Sequence, residues 1–117
     1  MKIPKEFIIH GHAVKVIQKE IDSISDNRYG YYNNAKEEIV IFRKVRSNEE
    51  IITLTDTQIE ATFYHELMHC FQWHIKGETD EWEAQSYSGL IIEFLKTSGI
   101  KIDPHTVHEP LNPTYDD

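Results

Sequence analysis

The hydrophobic pattern of this chain changes its period near the middle, and that change restricts the folds the chain can adopt. Before Thr55, apolar residues alternate with polar ones or form short runs rich in β-branched and aromatic residues, which is typical of strands. After Thr55, apolar residues recur three and four positions apart, which indicates helices. A chain of 117 residues has room for one hydrophobic core. The sequence therefore predicts an α+β fold in which strands precede helices.

Three segments of the first half have strand patterns: FIIHGHAVKVIQ, RYGYYN and EEIVIFRKV. The turn sequence NNAK separates the last two, so residues 29–33 and 39–43 are predicted to pair as a hairpin. A short additional strand is predicted at residues 51–54. Together these segments predict a small, mostly antiparallel sheet.

The second half contains two segments with helical patterns. The first helix is predicted at residues 59–76, after the capping sequence TDT, and Gly77 is expected to end it. The second helix is predicted at residues 79–97 and is expected to end at Gly99. Its apolar stripe is expected to pack against the first helix and the sheet: Ala84, Tyr87, Ile91, Phe94 and Leu95.

The domain organisation follows from where these patterns stop. Residues 1–99 are expected to form a single domain. Residues 100–117 contain three prolines and end in acidic residues, a composition that suits neither a helix nor a central strand. We therefore expect this last segment to be a tail.

Charge and cysteine content argue against several classes of function. A net charge of −8 with scattered Lys and Arg would repel a phosphate backbone, so nucleic acid is not an expected partner. The opening segment MKIPKEFIIHGHAVKV has one short apolar run broken by His and Gly, which fits neither a signal peptide nor a membrane span. Cys70 is the only cysteine, so no internal disulfide is expected. A cytoplasmic protein without a membrane partner is predicted.

The motif YHELMHCFQ lies inside the first predicted helix and carries the strongest chemical signal. His65 and His69 are four residues apart, so they lie on one helix face with Cβ atoms about 5–6 Å apart. Two imidazoles at that separation can bind one zinc ion. Glu66 lies about 100° around the helix from His65, which suits a general base acting on a water molecule better than a metal ligand. The alternative interpretation is two hydrogen-bonded histidines beside a groove.

A third ligand would complete a catalytic zinc site, because such sites usually have three protein ligands. Continuing the first helix from His69 to its end carries the chain about 10 Å along the axis, so the next helix must cross back towards the histidines. Glu81 is favoured and Glu83 is the second choice. The other acidic or imidazole candidates in this region are Glu78, Asp80 and His74. His74 is rotated onto the apolar side of the helix, where a packed or hydrogen-bonded role is expected.

Three segments together resemble the gluzincins, zinc peptidases that have His-Glu-x-x-His and a downstream glutamate: YGYYNNAKEEIVIF, TFYHELMHCF and DEWEAQSYSGLIIEFL. The closest resemblance is to the minigluzincins and to short phage or mobile-element metallopeptidases. It covers residues 30–95 and implies a minimal zincin-like fold. It also implies His65, His69 and Glu81 as zinc ligands and Glu66 as general base and acid. The strand before the active-site helix would bind an extended peptide.

The expected function is therefore zinc-dependent hydrolysis of a peptide or protein substrate. The alternative is a catalytically silent zinc-binding interaction or regulatory module of phage or mobile-element origin, and a third class is a structural protein without metal. The tail contains metal-competent side chains, namely His105, His108 and Glu109, so it could occupy the cleft and keep the enzyme latent.

The sequence leaves the group that stabilises the oxyanion open. Tyr31, Tyr32, Tyr87 or a tail histidine could serve, although each also fits a structural role. His10 and His12 alternate onto one strand face, where packing or solvent exposure is expected rather than a second metal site.

Overall fold

The computed structural model describes residues 3–99, which form a mixed five-stranded sheet followed by two helices. The elements are β1 (Glu6–Ile9), β2 (His12–Ile21), β3 (Gly30–Asn33), β4 (Glu38–Ser47), β5 (Glu50–Thr53), α1 (Asp56–Lys76) and α2 (Glu81–Ser98). The predicted α+β class, with strands first and helices second, is confirmed. Neither described helix is both long and apolar enough to cross a membrane. The predicted tail and its role in latency lie outside the described residues.

The sheet is built around β4, which pairs with three other strands. β3 and β5 are antiparallel to β4, β1 is antiparallel to β2, and β2 runs parallel to β4. The predicted hairpin is confirmed as β3 and β4, with Gly30 opposite Ile41. The strand order is β1-β2-β4-β3, with β5 paired to the last part of β4. Within the described residues, β3 therefore pairs on one side only and is an edge strand.

Local signals fix the ends of both helices. The Oγ1 atom of Thr55 accepts a bond from the Gln58 N–H at 3.1 Å, and the Gln58 side chain accepts the Thr55 N–H at 2.8 Å. This capping box starts α1 three residues before the predicted start. Gly77 ends α1 in the left-handed conformation, with φ of 69°. Asp80 caps α2 by accepting the Glu83 N–H at 2.8 Å.

The core lies between α1 and the sheet. Its fully buried residues include Val14, Ile39, Ile41 and Cys70. Four consecutive residues of β4, from 39 to 42, are buried. Because successive side chains of a strand point to opposite faces, both faces of β4 are covered over these residues. One side of α1 packs in the core, and residues on another side line a groove.

The predicted packing of α2 is wrong in part. The backbone of α2 approaches that of α1 and not that of any strand, so the buried arc of α2 is narrower than expected. Ala84 is buried, but Tyr87 and Phe94 are exposed by 54% and 57%. Ile91 and Leu95, two other members of the predicted stripe, are partly buried and pack against the core. Tyr87 and Phe94 lie on a flank that faces solvent.

Candidate metal centre

His65, His69 and Glu81 bring four ligand atoms together at the contact between α1 and α2. The Nε2 atom of His65 lies 3.1 Å from Oε2 of Glu81, and the Nε2 atom of His69 lies 2.7 Å from Oε1 of the same carboxylate. The two rings are 4.8 Å apart between centroids and nearly perpendicular. A ring nitrogen of each histidine and a carboxylate oxygen of Glu81 all lie within 4.8 Å of one another. These three residues could hold a metal ion.

A clamp between the helices brings Glu81 back to the histidines. The Gln72 side chain, on α1, donates to the Asp80 carbonyl at 3.0 Å and accepts the Asp80 N–H at 3.1 Å. The residue before Glu81 is thereby held one helical turn from His69. Together with the tight turn at Gly77, this clamp explains how so short a connection returns the chain to the site.

Amide oxygens contact the outer nitrogens of both histidines. His69 Nδ1 lies 2.9 Å from Oε1 of Gln72, and His65 Nδ1 lies 3.1 Å from Oε1 of Gln85. An amide oxygen only accepts hydrogen bonds, so each Nδ1 carries the proton and donates it. This arrangement orients the Nε2 atoms of both rings towards Glu81, as metal-binding histidines require.

The contacts around each ring are difficult to satisfy without a cation. Both nitrogens of His69 face oxygen atoms that accept hydrogen bonds, and the same is true of His65. Without a cation, a proton must lie in each of the two Nε2–carboxylate contacts, supplied by the ring or by the carboxyl group. With a metal ion between the Nε2 atoms and Glu81, each ring needs only its Nδ1 proton.

The distances also suit a zinc ion. Two ligand atoms bound to zinc at about 2.0–2.1 Å in tetrahedral geometry lie roughly 3.3 Å apart. The His65 contact of 3.1 Å is to Oε2 of Glu81 and is close to that value, whereas the His69 contact of 2.7 Å is to Oε1 and must lengthen. Because 81% of the Glu81 side chain is exposed, it is free to make this adjustment.

Glu66 lies in the same groove as His65 and Glu81. It is buried, with 7% of its surface exposed. Burial raises the pKa of the Glu66 carboxyl, while the neighbouring His69 and His65 act in the opposite direction. A carboxyl group is thus positioned beside the candidate metal site.

The groove has a volume of about 610 Å³ and runs between three elements. Its walls come from α1, from α2 and from the segment that leads into β3. The residues that line the groove include Arg28, Gly30, Thr62, His65, Glu66, Glu81 and Gln85. The edge strand β3 therefore begins at the groove, and Arg28 adds a cationic side chain to its wall.

The other acidic candidates for the third ligand serve different purposes. Glu83 accepts bonds from the Gln72 amide at 2.9 Å and from Lys76 at 3.2 Å. The Gln72 bond, followed by the Lys76 bond, lowers the pKa of the Glu83 carboxyl. Asp80 caps α2, and Glu78 is exposed in the connection between the helices. None of these three carboxylates is grouped with the histidine pair.

The remaining candidates lie away from the groove. His74 contacts Glu37 at 3.1 Å, in agreement with the hydrogen-bonded role expected for it. The Tyr32 hydroxyl donates to the same carboxylate at 3.1 Å. The Tyr31 ring lies 4.2 Å beneath the Arg28 guanidinium. Neither these two tyrosines nor the exposed Tyr87 lines the groove, so the structure does not favour any of them for the oxyanion role that the sequence left open. The tail histidines lie outside the described residues.

Sequence reasoning missed Gln72, Gln85 and Arg28. Gln72 could have been found, because a residue three positions after His69 lies next to it on the helix surface. Gln85 could have been found only together with Glu81, since the two are four positions apart on α2. Arg28 offers no local signal, because its place in the groove depends on how β3 meets α1.

Comparison of the chain with known protein families, with curated proteins and with solved structures finds no match. The resemblance to gluzincins therefore stays a prediction. The assignment of a function depends on the residues and distances described above.

Proposed function

We propose that this protein is a zinc-dependent peptidase whose metal is held by His65, His69 and Glu81. The observation that carries the proposal is the arrangement of the two rings, in which Nδ1 donates to an amide oxygen and Nε2 faces one shared carboxylate. Histidines held in this way are typical of metal ligands with an ordered outer shell.

Each participating group has a defined role in the proposed reaction. Zinc held by the three ligands supplies Lewis acidity to a water molecule and to the carbonyl of the scissile bond. Glu66 accepts a proton from the water, whose oxygen forms a bond to the carbonyl carbon. The carbon–nitrogen bond then breaks, and Glu66 passes the proton to the leaving amine. The carboxylic acid so formed gives up the second proton of the water, so the products are a carboxylate and a protonated amine, and no covalent enzyme intermediate forms.

The proposed substrate is an extended peptide or a protein segment. The free edge of β3 begins at the groove, and an edge strand can bind an extended chain through main-chain hydrogen bonds. Arg28 lies at the same wall and provides a positive charge for an acidic group of the substrate. The proposal includes a cytoplasmic location, because the single cysteine is free and a free thiol is compatible with a reducing compartment.

One observation favours the alternative function, a zinc-binding interaction module without turnover. The outer face of α2 exposes large apolar side chains, among them Trp82, Leu90 and Phe94, by 79%, 64% and 57%. Exposed apolar surface of this kind often marks a protein contact. In that case the metal site would stabilise the fold while α2 binds a partner.

Replacement of the carboxylate that moves the proton separates the two functions. We expect Glu66→Gln to keep the zinc content of the wild type and to lose hydrolysis of a peptide library by about 10²–10⁴-fold, because the amide cannot accept the proton. Glu78→Gln, which changes an exposed carboxylate outside the groove, is the control and should match the wild type in both measurements.

Two results would contradict the peptidase proposal. One is equal hydrolysis by the wild type and Glu66→Gln, which would attribute the activity to another source. The other is a wild-type protein that carries zinc and cleaves no member of the library, which would favour the interaction module. Zinc content is determined by elemental analysis, and cleavage is followed by mass spectrometry.

A further inference from the structure

The helix α1 carries a second pair of metal-competent side chains four residues apart. Cys70 and His74 have the same spacing as His65 and His69, but they lie on the side of α1 that faces the sheet and the turns between its strands. Glu37 approaches them from the turn between β3 and β4. Ligand atoms of Glu37, Cys70 and His74 all lie within 4.8 Å of one another.

This cluster is largely buried, with 26% of the Glu37 side chain exposed, and hydrogen bonds hold its carboxylate. Cys70 is fully buried, and only 9% of the His74 side chain is exposed. The Nε2 atom of His74 lies 3.1 Å from Oε2 of Glu37, and the Tyr32 hydroxyl donates to the same oxygen at 3.1 Å. The carboxylate is therefore fixed in place beside the imidazole and the thiol.

Two further imidazoles lie against His74. The ring centroids of His10 and His12 are 5.6 Å and 5.7 Å from that of His74. Two imidazoles bound to one zinc ion through nitrogen atoms at about 2.0–2.1 Å have centroids roughly 5 Å apart. His10 and His12 are expected from the sequence to pack or to face solvent, and both are exposed. Their rings lie beside His74, and one of them would have to turn a nitrogen towards the cluster to share an ion with it.

We infer that Glu37, Cys70 and His74 form a second metal site, which takes zinc or a similar borderline-soft divalent cation. A thiolate, an imidazole and a carboxylate are all established zinc donors, and the ring of His10, in the turn between β1 and β2, or of His12, at the start of β2, would supply the fourth. The thiol binds as the thiolate and releases its proton to solvent. With four protein donors the site is closed and structural, and it ties α1 to two turns of the sheet.

The inference does not depend on the proposed peptidase activity, because it uses none of the residues of the first site. It also has a specific spectroscopic reporter. Cys70 is the only cysteine of the chain, so a thiolate-to-metal charge-transfer absorption in the Co²⁺-loaded protein reports the second site alone. The first site, with two imidazoles and a carboxylate, has no sulfur ligand.

The test titrates Co²⁺ into the full chain after removal of bound metal with a chelator. His65→Ala/His69→Ala, which lacks the first pair, is expected to bind one Co²⁺ with thiolate absorption in the near ultraviolet. His74→Gln in that background should lose the absorption or weaken binding beyond the roughly 10–100-fold that an outer hydrogen-bond partner contributes. Glu78→Gln in the same background is the matched control and should leave the titration unchanged.

Removal of the thiol is a second probe of the same site. Cys70→Ser should abolish the absorption, and Glu37→Gln covers the case in which the serine variant does not fold. The inference is overturned if saturating Co²⁺ gives no thiolate absorption in the wild type and in the double variant. It is also overturned if His74→Gln and Glu37→Gln both bind Co²⁺ as tightly as their parent.

Discussion

At the scale of single residues, the two histidine rings of the first site are oriented by amide oxygens. Gln72 is the more firmly held of the two glutamines, because its amide group also bonds to both backbone groups of Asp80. Gln85 is exposed, and its side-chain amide oxygen lies 3.1 Å from Nδ1 of His65. These outer contacts decide which ring nitrogen faces the metal, so they should contribute to metal affinity.

We predict that Gln85→Ala weakens zinc binding by about 10-fold or more, because His65 loses the acceptor that fixes its Nδ1 proton. Gln85→Glu retains an acceptor oxygen at the same position and should bind zinc at least as tightly as the wild type. The measurement is the dissociation constant, determined by competition with a chromophoric chelator. Equal affinity of the alanine variant and the wild type would show that Gln85 does not position His65.

The choice between Glu81 and Glu83 shows what could be predicted at this scale. The pairing of His65 and His69 follows from helical spacing alone, and the structure places both rings on one carboxylate. Glu81 and Glu83 are about 200° apart on a helix, so only one can face the pair. The Asp80 cap decides which one, because it fixes where α2 begins, and a cap position is not determined by the apolar pattern.

At the scale of elements, the groove depends on a close approach between β3 and α1. A Cβ atom on Gly30 would lie 2.6 Å from the Val40 carbonyl oxygen and 2.8 Å from Cγ2 of Thr62. Both distances are shorter than side chains tolerate, so glycine is required for β3 to lie this near to its partner strand β4 and to α1. The need for glycine at position 30 could not be predicted from the sequence, because it depends on how β3 packs against neighbouring elements of the fold.

We predict that Gly30→Ala destabilises the fold by about 1–3 kcal/mol, because the added methyl group would clash with the Val40 carbonyl of β4 and with Thr62 of α1. Gly89→Ala is the control, since a Cβ there meets nothing within 4 Å and alanine favours a helix by up to about 1 kcal/mol. Chemical denaturation of both variants measures the free energy of unfolding. A Gly30→Ala protein as stable as the wild type would contradict the close approach.

Two properties of the elements were not accessible from the sequence. The parallel pairing of β2 with β4 has no turn signature, because the two strands are separated by β3 and connect only through it. The face that α2 buries depends on which element it packs against. For this reason the predicted burial of Tyr87 and Phe94 is wrong, whereas Ala84 is buried as predicted.

At the scale of the whole molecule, one helix supports both candidate metal sites. One side of α1 forms the groove with His65 and His69, and another side packs on the sheet with Cys70 and His74. In each case the carboxylate comes from a different element, Glu81 from α2 and Glu37 from the turn before β4. A metal ion at either site would therefore link α1 to a neighbouring part of the fold and should stabilise it.

The central claim is that His65, His69 and Glu81 share one zinc ion, and anomalous diffraction from crystals grown with zinc tests it most directly. Data collected at the zinc absorption edge should show a peak about 2.0–2.2 Å from the Nε2 atoms of both histidines and from one Glu81 oxygen. Crystals with full access to zinc but no anomalous peak between these three side chains would contradict it.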